Sequence, residues 1–309
     1  MFPSVDTLSI IQTYGKIPPR EQLIDLGWKE RISGKLKKSS WINNGMKQIS
    51  EPRLTIYQTW HNLFRLRANL EIPKLLFGEN ITLPDADEID QSFEIITNNI
   101  SQRAALPFDA RLANVARIDY AINVNLDSDK IPRFFSHYRN FDAPRLLRST
   151  EGNTTVYFAN NSRKIAIYDK LMQIISKHKS DIELQKKAKN LIRIEYRILN
   201  EKSVKAFAKR QNFADATAGT MLSPENRTTA ISEMKDLLCL DSLIVTNEDM
   251  SHPIFGKLGD IKKEIRLAGF NEAEKYFGKD FYKIDSLDYS LSTYKRNVEE
   301  CQNLGLINY

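Results

Sequence analysis

The chain is poor in the residues that fix small secreted folds and metal cages. Its 309 residues include two cysteines, Cys239 and Cys301, too few and too far apart for a disulfide framework or a zinc site, so both read as reduced packing residues. Histidine is scarce as well: His61, His137, His178 and His252 stand singly, with no spacing that would bring two imidazoles to one metal. No apolar run approaches the roughly 18 residues of a membrane span. The opening MFPSVDTLSI has neither the basic nor the apolar region of a secretory signal, so the expectation is a cytoplasmic protein with no membrane partner. None of the 12 glycines builds a Walker-type phosphate loop, so ATP-driven unwinding would fall to another protein. No internal repeat or low-complexity tract is evident.

What is present is positive charge, unevenly placed. The formal net charge is +6, yet between Arg133 and Arg210 there are 18 Lys or Arg against 7 Asp or Glu. That segment is therefore net +11 and the remainder near −5. A concentrated basic stretch favours a nucleic-acid partner, although a solvated helix explains part of the run from Lys177 to Lys189.

Four segments share one design. Thr154 to Lys170 has two β-rich runs around the turn-prone Asn160-Asn161-Ser162, a hairpin signature. In its second run Lys164, Ala166, Tyr168 and Lys170 share a face opposite Ile165 and Ile167, because side chains alternate along a strand. Ala116 to Val124 sets Ile118, Tyr120, Ile122 and Val124 against Arg117, Asp119, Ala121 and Asn123. Leu191 to Leu199 sets Ile192, Ile194, Tyr196 and Ile198 against Arg193, Glu195 and Arg197. Arg65 to Ile72 sets Leu66, Ala68, Leu70 and Ile72 against Arg65, Arg67, Asn69 and Glu71. Such alternation belongs to an antiparallel sheet with one packed and one solvated face.

The solvated face carries arginines, lysines, carboxylates and one tyrosine, the mixture that phosphodiester transesterification needs. A phenol ionises near pH 10 and attacks poorly without a cation or base beside it. Carboxylates can hold a divalent metal, and arginine forks match phosphate oxygens. An Arg- and Glu-decorated face is also what a solvated surface with cross-strand ion pairs looks like. Tyr138 is a rival nucleophile, but it lacks the strand context and a lysine two residues on.

RIDYAINV, the hairpin ending in IAIYDKL, and LIRIEYRIL resemble, in order and spacing, the gene-two type (II/X) replication initiators of filamentous bacteriophages. They resemble more distantly the plasmid rolling-circle initiators with RID, YxK and RxE strands. VDTLSI from Val5 and LEIPKLLFGENI from Leu70 extend the likeness over roughly residues 5 to 200. The resemblance implies a site-specific DNA endonuclease and strand transferase that starts rolling-circle replication through a 5′-phosphotyrosine. By position, Tyr168 matches the nucleophile, Lys170 the basic residue after it, and Asp119 and Glu195 the acidic strand positions that hold Mg²⁺ or Mn²⁺, with Glu71 a further metal candidate. Arg117, Arg193, Arg197, Lys164 and Arg163 are the candidates for contacting DNA phosphates. The His-hydrophobic-His motif of many rolling-circle initiators is missing, which implies a carboxylate-dominated metal site on an HUH-endonuclease-like fold. The implied partners are single-stranded or supercoiled origin DNA and the host's helicase and polymerase. A single well-placed tyrosine calls for a second subunit, as in a homodimer, or a water-dependent step to end the cycle. A conjugative relaxase and a non-catalytic origin-binding protein remain open. An RRM-type RNA binder is disfavoured by the charged centre of the face.

The expected architecture is α+β: a mainly antiparallel sheet of about five strands over residues 1–212, helices on its apolar face, and a helical C-terminal domain over 213–309. Helices are expected from Asp85 to Ser101, across Lys130 to Leu147, from Asp169 to Lys189, from Pro224 to about Leu240, and at 259–268, 271–277 and 290–304. Gly34 to Ser40 reads as a basic loop. Trp28, Trp41 and Trp60 read as core aromatics with satisfied indole N–H groups rather than base-stacking platforms.

Overall fold

The computed structural model describes residues 3–33, 38–44, 51–59, 61–177, 179–240 and 291–303. The chain divides into two compact units, Met1–Leu238 and Cys239–Tyr309. In the first, ten strands form one antiparallel sheet, in the order β2-β3-β4-β5-β1-β6-β10-β9-β8-β7. They are β1 (Ser4–Tyr14), β2 (Lys29–Ser33), β3 (Lys38–Asn43), β4 (Arg53–Gln58), β5 (Phe64–Glu71), β6 (Asn114–Asn125), β7 (Leu147–Glu151), β8 (Thr155–Ala159), β9 (Arg163–Asp169) and β10 (Leu191–Ile198). The α+β class agrees with the sequence, but the sheet has twice the expected width. The additional strands lie toward its margins. β7 is exposed at every position, so no buried alternation marks it. β3 begins inside the stretch that reads as a basic loop, because Lys38-Ser39-Ser40 precedes Trp41 with no apolar period.

From edge to centre, the two halves run β2-β3-β4-β5-β1 and β7-β8-β9-β10-β6, the same path with five added to each number. The registers agree in detail. Tyr57 opposes Arg65 as Tyr168 opposes Arg193, and Arg53 opposes Asn69 as Lys164 opposes Arg197. Ser9 opposes Asn69 as Asp119 opposes Arg197, and Thr13 opposes Arg65 as Asn123 opposes Arg193. The sheet is thus an internal duplication about an approximate two-fold axis between β1 and β6. The sequence conceals it because the repeat keeps strand alternation and little else; RLTIYQ and KIAIYD, residues 53–58 and 164–169, are its clearest trace.

The apolar face carries Leu8, Ile10, Leu54, Ile56, Leu66, Ile118, Tyr120, Ile122, Ile194, Tyr196 and Phe158, all essentially inaccessible. Helix α3 (Ala86–Ala104) is opened by a capping box between Asp85 and Glu88. The Arg103 carbonyl of this helix accepts the Trp28 indole N–H at 2.7 Å, so Trp28 is a core residue; Trp41 is buried as well, and Trp60 lies outside the described residues. Helix α4 (Ile131–Asn140) packs on β8. There Tyr138 is fully buried, its hydroxyl 3.3 Å from the Leu238 carbonyl, which removes it from the polar face. Helices α7 (Glu201–Arg210), α8 (Ala218–Met221) and α9 (Pro224–Leu238) pack on β6. The first unit therefore continues to Leu238, where the sequence reading divides the chain at 212.

Two short helices, α1 (Arg20–Asp25) and α2 (Ile72–Phe77), follow β1 and β5. The helix expected from Asp169 to Lys189 is two: α5 (Lys170–Lys177) and α6 (Ile182–Ala188). The Asp181 carboxylate accepts the Leu184 N–H and starts the second helix afresh. The second unit contains α10 (Leu291–Asn303), close to the expected 290–304 helix. The helices expected at 259–268 and 271–277 lie outside the described residues.

Candidate active site

Rows across the polar face assemble the site. Thr155, Tyr168, Arg193 and Asn123 stand side by side on β8, β9, β10 and β6. The next row is Tyr157, Ala166, Glu195 and Ala121, and the third is Ala159, Lys164, Arg197, Asp119, Thr7 and Glu71. Neighbours within a row lie ~5 Å apart, so two alanines leave Glu195 flanked by space that larger side chains from adjacent rows fill.

Tyr168 donates its hydroxyl hydrogen bond to Glu195 Oε1 at 2.5 Å. The other oxygen, Oε2, accepts from Arg197 Nε at 2.8 Å, and Arg197 Nε also lies 3.7 Å from Asp119 Oδ2. Arg117 grips Asp119 with two bonds of 2.9 and 2.7 Å. Both carboxylates are 2% exposed and Tyr168 is 6% exposed, so this chemistry sits largely out of water. Burial raises the Tyr168 phenol well above its usual ionisation, and the neighbouring Glu195 charge adds to the effect. Burial also lifts Asp119 to about 6 against the opposing pull of Arg117.

Lys170 begins α5 with no exposed surface, and its ammonium lies 5.6 Å from the centre of the Tyr168 ring. Its Nζ donates to Asn80 Oδ1 at 2.7 Å and Gln173 Oε1 at 3.0 Å. Burial, then the charge of Arg193, lowers it to about 7. Arg193 is wholly buried and its guanidinium is committed internally: Nη1 to Asp6 at 2.8 Å, Nε to Asn123 at 2.9 Å, and Nη2 to the Ile81 carbonyl at 2.6 Å. The segment carrying Asn80 and Ile81 thereby closes over this end of the polar face, where Ile81 packs with Ile174 of α5 and Ala188 of α6. Arg193 thus holds the site together rather than facing solvent.

Two expected residues stand apart. Glu71 is two strands from Asp119, ~10 Å by strand spacing, and its carboxylate pairs with Lys74 at 2.7 Å. Arg163 turns to the opposite side of the sheet, where Glu233 of α9 binds it at 2.5 Å and Tyr196 at 3.1 Å. Lys164 remains on the polar face, its ammonium 3.5 Å from the centre of the Tyr157 ring. Strand alternation does not single out Asp6, Asn123 or Asn80 as site residues. Asp6 reaches Arg193 through a register shift between Val5 and Thr7, and a bulge of this kind leaves no mark in the pattern. A lone acid in an apolar strand, VDTLSI, is the signal the sequence offers for it.

Asp119 and Glu195 suit a hard divalent cation. Mg²⁺ commonly takes one or two protein carboxylates and completes its shell with water and substrate oxygens. Desolvation raises Asp119 to about 6, and a cation beside it would favour its ionised form; Arg117, which takes both Asp119 oxygens, and Arg197, which bridges the pair, would have to give way. Among the described residues no three Asp, Glu, His or Cys side chains converge as a ready-made cage.

A protein-family model, described as the N-terminal part of the gene-two replication-associated protein of phages, matches residues 45–225, from before β4 to the start of α9. No match was found among curated protein sequences. The matched span covers more than half of the chain and contains Tyr168, Asp119, Glu195, Lys170 and Arg193, and the chain therefore belongs to the gene-two family of phage replication initiators.

Proposed function

We propose that the polar face nicks one DNA strand at a replication origin by tyrosine transesterification, starting rolling-circle replication. The observation that carries this reading is the Tyr168–Glu195 hydrogen bond, a nucleophile and a base joined directly, with cations in the same and neighbouring rows. In the step, the Tyr168 oxygen bonds to the scissile phosphorus and the bond from phosphorus to the 3′ oxygen breaks. The phenolic proton passes to Glu195, and the leaving oxygen takes up a proton to become the 3′ hydroxyl that primes synthesis. Attack of a 3′ hydroxyl on the phosphotyrosine reverses the step and rejoins the displaced strand. Arg197 and Lys170 offset negative charge on the phosphoryl oxygens, and Arg193 with Asp6 keeps the tyrosine in its row. Mg²⁺ or Mn²⁺ held by Asp119 and Glu195 would polarise the phosphoryl group. A host helicase and polymerase would extend the released end, and a second subunit or water would close the cycle.

The burial of Tyr168 favours a second reading, a non-catalytic origin-binding protein in which the tyrosine packs. Incubating parent and Tyr168→Phe proteins with Mg²⁺ or Mn²⁺ and labelled single-stranded origin DNA, followed by a denaturing gel, separates the two. A metal-dependent covalent band with the parent alone supports transesterification. Absence of the band on DNA that both proteins bind leaves the non-catalytic reading.

A further inference from the structure

The duplication places a counterpart of the Tyr168 site in the first half of the sheet. Register equivalence matches Tyr57 to Tyr168, Arg65 to Arg193, Arg53 to Lys164, Arg67 to Glu195 and Ser9 to Asp119. Even the closing contacts correspond. Arg193 on β10 is capped by Ile81 from the segment after β5, and Arg65 on β5 is capped by Glu201 from the segment after β10, at 2.9 and 3.1 Å. The tyrosine and the basic positions of Arg193 and Lys164 are retained, that of Arg197 becomes Asn69, and both acidic positions are lost.

We propose that this counterpart, built on Arg53, Arg67 and Tyr57, is a second DNA-binding site that holds a phosphodiester of a single strand without cleaving it. At the Tyr168 site each carboxylate already answers a guanidinium: Asp6, reaching over from β1, for Arg193, Asp119 for Arg117, and Glu195 for Arg197. In the first half Arg53 and Arg67 have no carboxylate partner among the described residues. Arg67 Nε is buried without any hydrogen-bond acceptor, so no protein group fixes that edge of the guanidinium, and the side chain gains a partner by turning outward to a phosphate oxygen. The Arg67 guanidinium lies 6.0 Å from the centre of the partly buried Tyr57 ring, so cation and ring form one contact surface. With Arg67 in place of Glu195, Tyr57 has no base, and with Ser9 in place of Asp119 there is no carboxylate for a metal. The site keeps the means of gripping a phosphate and none for breaking one. Tyr57 and Tyr168 lie on the same face, five strand spacings or ~24 Å apart across the sheet and about ten residues or ~33 Å apart along the strands, so a single strand joining the two sites would cross the face diagonally over ~40 Å.

The choice of DNA rests on the transesterase reading above, and the test keeps the two apart. Binding of a labelled single-stranded oligonucleotide to the full chain is followed by anisotropy over a salt series for parent, R53A/R67A and R53K/R67K, alongside adduct formation at saturating DNA. Expected are a roughly tenfold or greater loss of affinity in R53A/R67A and a log–log salt slope shallower by about 1.4, two phosphate contacts at about 0.7 each on single strands. The lysine pair should recover most of both, and the rate of adduct formation at saturation should match the parent's. Unchanged affinity and slope in R53A/R67A would overturn the second site, and so would loss of the adduct at saturating DNA, which would put these arginines in the cleavage machinery. No adduct with any protein, together with weakened binding in R53A/R67A, would retire the cleavage reading and leave the second site standing.

Discussion

Leu8 of β1 and Ile118 of β6 face each other across the centre of the sheet, both fully buried, at the point about which its two halves interchange. From that pair outward, the two halves differ chiefly in charge. The second half gathers Asp119, Glu195 and Tyr168; the first offers Ser9, Arg67 and Tyr57 at the matching positions. That asymmetry bears on both chemistry and stability.

Tyr168→Phe removes the proposed nucleophile and one donor to Glu195 while Arg197 continues to hold the other oxygen. Covalent adduct should vanish. Loss of one hydrogen bond of a buried carboxylate should cost about 1–3 kcal/mol, well below unfolding, so DNA affinity should survive within a few fold. Denaturant titration and anisotropy measure both.

Asp119 and Lys170 should impose opposite pH slopes on stability. Asp119 is raised to about 6 in the folded chain, so it binds its proton more tightly there than when unfolded. Its contribution is complete below about pH 4 and is lost as pH rises through about 6, a swing on the order of 3 kcal/mol. Lys170 is lowered to about 7, so the unfolded chain holds the extra proton and stability grows as pH climbs from about 7 toward the usual lysine range. In urea unfolding across pH, Asp119→Asn should flatten the acid limb and Lys170→Met the alkaline one.

Arg193→Met should be among the most damaging single changes. It strips the buried Asp6 carboxylate of its cation and leaves the Ile81 carbonyl with Asn123 Nδ2 as its remaining donor. Removing one partner of a buried ion pair typically costs about 3–5 kcal/mol. Pairing it with Asp6→Asn should recover part of the loss in thermal melts, which an independent pair of sites would not do.

Arg163→Ala should change stability rather than DNA binding, because its guanidinium serves Glu233 on the apolar side of the sheet. Glu233→Ala should cost still more, since Arg210, Gln211 and Tyr196 also bind that carboxylate. The salt dependence of DNA binding should be unaltered in Arg163→Ala, whereas Arg117→Ala, on the polar face with 40% of its side chain exposed, should make it shallower.

Strands with two distinct faces could be read from sequence, and so could the face on which Tyr168, Asp119, Glu195, Arg197 and Lys164 meet. Alternation fixes which side a residue takes, and these strands alternate cleanly. What alternation does not carry is the partner. Glu71 has the pattern of a site residue but lies two strands off, whereas Arg163 shares the parity of Ile165 and Ile167, so alternation already sets it on the apolar side, and its candidacy as a phosphate contact overlooks that parity. Asp6 enters through a register shift, and the exposed β7 has no buried side to produce a pattern. The duplication is illegible in the sequence because its two copies share geometry while their connections differ: among the described residues β4 passes to β5 with no helix between, but α5 and α6 separate β9 from β10.

The meeting of Leu8 with Ile118 also has a kinetic side. The two are about 110 residues apart in the chain, and every β1–β6 contact spans a comparable distance. Until β6 has been synthesised, β1 has β5 on one side and a row of unpaired amides and carbonyls on the other. The first half therefore leaves the ribosome as an open-edged sheet, and formation of the β1–β6 seam, late and entropically costly, should limit the folding rate of the whole unit.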